Sequence, residues 1–181
     1  MKYMRFFIYF ALPLALSVFL STSSCAQLPA ARPQVESATF DKMIGRTISF
    51  SVPTMGVEEL KSIKEPIYLL DARELEEYEV SHIPKAIHVG YDNFDSAKLA
   101  AIPKDAKVVL YCSIGYRSEK IGEQVLALGY TNVHNLYGSI FEWVNQGNEV
   151  VDNKEQPTKK IHTYNRIWSV WVDGEQAEKV W

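Results

Sequence analysis

The apolar positions of this chain come in short compact runs separated by stretches with helical spacing. Residues 67–70 (IYLL), 86–89 (AIHV), 107–112 (KVVLYC) and 132–137 (NVHNLY) predict strands buried on both faces. Ile48, Phe50 and Val52 alternate with serines and predict a further strand at an edge. Between the runs, residues 55–63, 74–80, 95–102, 118–128 and 139–147 predict helices. The clearest is 118–128, where Ile121, Val125 and Leu128 share a face and Gly129 closes the end. Asp95 stands where it would cap the helix that follows it. Strands alternating with helices predict an α/β fold, a parallel sheet with helices on both faces.

The flanks differ in pattern. Lys2 and Arg5 precede a 15-residue apolar run, Phe6–Leu20, and small polar residues follow (STSSCAQ). Basic start, apolar centre and small-residue exit predict a secretory signal over residues 1–25. Cys25 resembles the lipidated cysteine of bacterial lipoprotein signals, although Thr22 stands where such signals usually carry Leu. That resemblance implies acylation at Cys25 and a membrane lipid anchor, at the periplasmic face or outer membrane. Cleavage after Ala26 gives a soluble periplasmic chain instead, and an uncleaved anchor ranks third. Residues 26–45 show no sustained period and read as a linker. The domain is expected over 46–152, with an aromatic-rich extension over 153–181. The extension either packs back on the domain or offers a surface to a substrate or partner.

Composition changes little in this picture. The net charge is −3 and no Lys/Arg block stands out, so no nucleic acid partner is expected. The cysteine count matters more: there are two, and processing acylates or removes Cys25. Cys112 is then an unpaired thiol in an exported chain, a candidate for reactivity.

Cys112 ends the strand-like run 107–112, and in open α/β sheets ligands bind beyond the carboxyl ends of strands. Ser113, Ile114, Gly115, Tyr116 and Arg117 then form a tight loop before the helix at Ser118. Gly115 permits backbone angles that turn the loop amides inward as an anion nest. The following helix dipole and Arg117 add positive potential. This setting favours the thiolate, the form that acts as a nucleophile. The bland reading of Cys112 is a buried structural cysteine.

Cys112-Ser113-Ile114-Gly115-Tyr116-Arg117-Ser118 is similar to the Cys-x-x-Gly-x-Arg-Ser loop of the rhodanese-like sulfurtransferases. Leu70-Asp71-Ala72-Arg73 with Glu77-Tyr78 resembles that family's Asp-x-Arg segment. Ser81-His82-Ile83-Pro84-Lys85-Ala86-Ile87 resembles its Gly-His-Ile-Pro-Gly-Ala-Ile segment, with Ser81 and Lys85 in place of glycines. Leu136-Tyr137-Gly138-Ser139-Ile140 and Trp143 resemble its C-terminal signature. The resemblance spans about residues 50–150. It implies a rhodanese-like parallel sheet and a ping-pong sulfur transfer through a Cys112 persulfide. The donor would be a small anionic sulfur compound such as thiosulfate, and the acceptor a thiol or cyanide. It implies no metal or organic cofactor, and a monomer is expected. Residues 113–118 would bind the substrate. Many thiosulfate-using members carry a basic residue after the cysteine, where this chain has Ser113.

Asp71 and Arg73 are expected to hold loops around the site through an ion pair, and His82 to shape its loop. His88, His134 and His162 lack ligand spacing, so no metal is expected. Two alternatives remain: a noncatalytic persulfide carrier or partner-binding module, and a phosphatase or arsenate reductase of the same fold. The latter use Cys-x5-Arg, whereas Cys112-x4-Arg117 is one residue shorter.

Overall fold

The computed structural model describes residues 32–181, so the expectations for the signal and for Cys25 lie outside the described residues. Five strands form one wholly parallel sheet: β1 (Thr54–Met55), β2 (Ile67–Asp71), β3 (Ile87–His88), β4 (Lys107–Tyr111) and β5 (Val133–Leu136). Their order is β1-β5-β4-β2-β3, which puts β4 at the centre. Leu110 pairs with Leu70 on one side and Asn135 on the other.

Successive side chains of a strand point to opposite faces, and β4 uses both. Val108 and Leu110 enter one core with Ile121 and Val125. Val109 and Tyr111 enter the other with Phe40, Ile44 and Phe141. The first core is covered by α4 (Tyr116–Ala127) and a 3₁₀ turn at Ser96–Leu99. The second is covered by α1 (Ala38–Thr47), α2 (Val57–Ser62) and α5 (Ser139–Asn145). A short helix α3 (Leu75–Val80) follows β2. Two covered faces explain why the strands are continuous apolar runs.

Three expectations are corrected. Residues 38–45 are not linker: Ser37 Oγ accepts the Phe40 amide and starts α1, whose Phe40 and Ile44 are buried. Burying two such side chains contributes on the order of 3–6 kcal/mol, an upper bound that a tether would forgo. Residues 48–52 are not a strand. The Ser49 and Ser51 amides donate to the Glu119 carboxylate (2.8 and 3.1 Å), and Phe50 takes a positive φ of 57°. Among the described residues this segment pairs with no strand. Residues 95–102 form a single 3₁₀ turn rather than a helix, with Asp95 capping it at the Ala97 amide.

The C-terminal extension packs back on the domain. An antiparallel pair, β6 (Val150–Val151) with β7 (Pro157–Thr158), leads into a parallel pair, β8 (Lys160–His162) with β9 (Glu178–Val180). Ile161, Val172 and Ala177 join the same core as α1, and Trp171 stacks on Phe40 at 5.5 Å. Among the described residues no helix is long and apolar enough to cross a membrane.

Candidate active site

Cys112 follows the last residue of β4, at the carboxyl edge of the sheet. The chain turns there at once because Gly115 takes φ 120°, a region that strains any residue with a Cβ. Helix α4 begins at Tyr116, not Ser118, so Tyr116, Arg117 and Ser118 form its first turn. The amides of such a turn have no acceptor within the helix. The Gly115 amide donates to Cys112 Sγ at 3.1 Å.

Neighbouring elements brace this turn. Asn135 on β5 donates to the Gly115 carbonyl (2.9 Å) and accepts from the Ser118 hydroxyl (2.7 Å). Ser139 Oγ accepts the Cys112 amide (3.1 Å). The first amides of α5, Ile140 and Phe141, donate to the Cys112 and Ser113 carbonyls. That contact needs the tight turn at Gly138 (φ 77°), where an added Cβ would lie 2.6 Å from the Glu142 Cβ. With their carbonyls held from behind, the loop amides are free to face forward.

Cys112 is 1% exposed. Burial pushes its thiol up; against that act the Arg117 charge and the Ser118 and Gly115 amides. The thiol therefore sits below its usual range. Arg117 is not a free cation. Its guanidinium grips the Glu77 carboxylate at 2.5 and 2.8 Å and also reaches the Ser113 hydroxyl at 3.0 Å. Burial pushes the Glu77 carboxyl up, and the Arg117 contacts more than reverse that, leaving it below the usual range. In the sequence Glu77 stood in an acidic helix and beside the Asp-x-Arg segment, with no role in the site assigned to it; its burial at 2% exposure marks it as part of the site.

A cavity of about 340 Å³ opens above the thiol. Cys112, Ser113, Ile114, Tyr116 and Arg117 all line it, so the structure gathers the loop residues around one space. Ser118 lies beneath them, fully buried. Tyr91, Glu74 and Asp92 also line the cavity, as do Tyr164 and Trp168 from the C-terminal extension. The extension thus packs back and also contributes to the site. Sequence spacing carried no sign of that, because the contact is set by where the tail lands.

Asp71, Arg73 and His82 stay outside the cavity. Asp71 and Arg73 form a fully buried pair with Oδ2 and Nη2 at 2.6 Å. Arg73 also donates to the Ser81 carbonyl at 2.7 Å, which ties the end of β2 to the Ser81–Ile83 segment. Burial disfavours the Arg73 charge, but Asp71 more than compensates and holds its pKa above the usual value. His82 stacks on Tyr78 at 3.8 Å and pairs its backbone with Val151, which fixes its loop. Among the described residues no three His, Cys, Asp or Glu side chains cluster as metal ligands would.

With this geometry in place, comparison with known proteins is informative. A model of the rhodanese-like domain family matches residues 56–146, half of the chain. A thiosulfate:glutathione sulfurtransferase of Saccharomyces cerevisiae is 29% identical over 118 residues, 56% of this chain and 85% of that protein. A tRNA uridine(34) hydroxylase of Hamiltonella defensa is 40% identical over 88 residues, 45% of this chain and 25% of that protein. The chain therefore spans about a quarter of the length of the hydroxylases it matches. Among solved structures, a thiosulfate sulfurtransferase from Pseudomonas aeruginosa superposes with a TM-score of 0.51 at 23% identity, covering 58% of this chain and 21% of that one. A rhodanese-like domain from Anabaena superposes at 0.52 and 18% identity, covering 55% and 79%. Both share the fold.

Proposed function

The chain belongs to the rhodanese-like domain family, and from that premise we propose that it is a sulfurtransferase carrying sulfane sulfur as a persulfide on Cys112. The observation that carries the reading is the thiol itself: it is buried at the floor of an open cavity, yet held below its usual pKa by backbone amides and a guanidinium. A structural cysteine in an apolar core would be pushed the other way.

The mechanism follows from these contacts. The Cys112 thiolate attacks the outer sulfur of a donor such as thiosulfate. A bond forms from Sγ to that sulfur, the donor's sulfur–sulfur bond breaks, and its electron pair leaves with sulfite. No general base is needed, because the site favours the thiolate and the leaving group carries its own charge. The persulfide anion then lies among the loop amides and the first turn of α4, whose dipole favours negative charge. A thiol or cyanide removes the outer sulfur and returns Cys112 to the thiolate. The four-residue spacing from Cys112 to Arg117 supports a sulfur atom over the tetrahedral oxyanion of a phosphatase or arsenate reductase. The basic-apolar-cysteine pattern at the N-terminus supports export and acylation at Cys25, which metabolic labelling with a fatty acid would detect.

Incubation of the purified chain with thiosulfate, followed by intact mass measurement, tests the central claim. A gain of one sulfur atom is expected, lost in Cys112→Ser, and its removal by cyanide or a thiol separates an enzyme from a carrier. Absence of any sulfur gain from thiosulfate or polysulfide, with hydrolysis of an aryl phosphate, would overturn it.

A further inference from the structure

The cavity above Cys112 is larger than a sulfur atom or a sulfite group requires, at about 340 Å³. Part of its wall lies outside the family match, which ends at residue 146. Tyr164 and Trp168 supply that part, and the fold holds both in place. Tyr164 has φ 64°, and the Asn165 amide donates across it to the Thr163 carbonyl at 2.7 Å. This is a three-residue turn of the strained, positive-φ kind, and such strain persists only where the surroundings impose it. Here the imposing neighbours are Ile161 and Thr163, both fully buried. Asn165 Oδ1 then accepts the Ile167 and Trp168 amides and starts the 3₁₀ turn that carries Trp168. The strained turn aims the Tyr164 ring at Arg117, 5.6 Å from its centroid.

Chemistry distinguishes what this cavity suits. Tyr91, Tyr116, Tyr164 and Trp168 present flat apolar surface. Glu74 and Asp92 add two negative charges, held together by the Asp92 amide donating to Glu74 Oε1 at 3.2 Å. Arg117 is the one cation among the lining residues, and Glu77 already balances it. An acidic group on a bound acceptor would meet net negative charge at Glu74 and Asp92, whereas an uncharged aromatic body would not; the anionic donor would be held instead at the loop amides beside Cys112.

We propose that this cavity is the acceptor site for an organic thiol with an aromatic or apolar body and no net negative charge, completed by the C-terminal extension. The inference rests on the sulfurtransferase reading. The thiol's sulfur attacks the outer sulfur of the Cys112 persulfide. A sulfur–sulfur bond to the acceptor forms as the bond to Sγ breaks, and the electron pair returns to Sγ as the thiolate. The product is an organic persulfide that keeps the incoming thiol's proton, so no other reactant is consumed.

The test uses two thiols of one shape, phenylmethanethiol and its 4-carboxylate, each offered to the persulfide-loaded chain in single turnovers. The uncharged thiol is expected to react about tenfold faster per unit concentration, the scale of charge repulsion alone, since both thiols carry the same ring. The double variant Tyr164→Ser with Trp168→Ala is expected to reduce the rate with phenylmethanethiol several-fold more than the rate with cyanide. Glu74→Gln with Asp92→Asn, on the rim and independent of the tail's packing, is expected to raise the rate with the carboxylate several-fold. Equal rates for the two thiols in the wild-type chain, or a ratio that both variants leave unchanged, would overturn the inference while the sulfurtransferase reading stands. Failure of the wild-type chain to take up sulfur at all would remove both.

Discussion

Glu77→Gln isolates the acid that the site keeps beside its cation. Glu77 is 2% exposed and takes both arms of Arg117, at 2.5 and 2.8 Å. Its Oε2 also accepts the Glu74 amide at 3.1 Å. Gln keeps the shape and one acceptor oxygen but turns an amide NH2 toward a guanidinium that can only donate. Breaking a buried ion pair costs about 3–5 kcal/mol, and the retained acceptor places this change near the low end, about 3 kcal/mol. For a chain of this size that lowers Tm by about 6–12 °C. The pH dependence has a definite sign. The folded pKa of Glu77 lies below the unfolded value of about 4.3, so its stabilisation is present above that pH and is lost as pH falls through the folded pKa. Urea melts at neutral pH should separate the two proteins, and the gap should close in acid. The same substitution leaves the Arg117 charge uncompensated, so the Cys112 thiol should ionise at still lower pH. A variant as stable as wild type at neutral pH, with an unchanged acid profile and an unchanged thiol titration, would refute the reasoning.

Two further outcomes follow from the same geometry. Alkylation of Cys112, followed by the mass of its peptide, should stay fast below the usual thiol range near pH ~8.5 and fail only below the lowered pKa; Arg117→Gln should move that midpoint up, since it removes the positive charge that favours the thiolate, and a midpoint at or above the ordinary value would contradict the site. Asp71→Asn should cost about 3–5 kcal/mol in urea melts because it leaves the fully buried Arg73 charge without its counterion, and a loss below about 1 kcal/mol would show that the pair is not needed.

Much of the site was legible because its parts are contiguous. Cys112 to Ser118 lie in one unbroken stretch, and the residue types that bend the chain and favour a thiolate sit side by side. The buried strands were legible for a related reason: a strand covered on both faces must be a short apolar run, as β2 and β4 are. Helix α1 was missed because Phe40, Met43 and Ile44 give it a single short apolar stripe within a polar segment. Ser37 ahead of that stripe was the available signal.

The misread strand at 48–52 and the unforeseen Glu77–Arg117 pair have one cause. Local alternation cannot show that Ser49 and Ser51 meet Glu119, 70 and 68 positions away, nor that Glu77 meets Arg117, 40 positions away. The sequence by itself determined four of the sheet's five strands, β2 to β5, the candidate nucleophile and the loop around it, since those depend on burial period and on neighbouring residues. Only the tertiary structure decided that Arg117 is balanced by a buried acid and that Tyr164 and Trp168 complete the cavity. Charge balance and cavity shape are properties of groups brought together by packing, and no local pattern carries them.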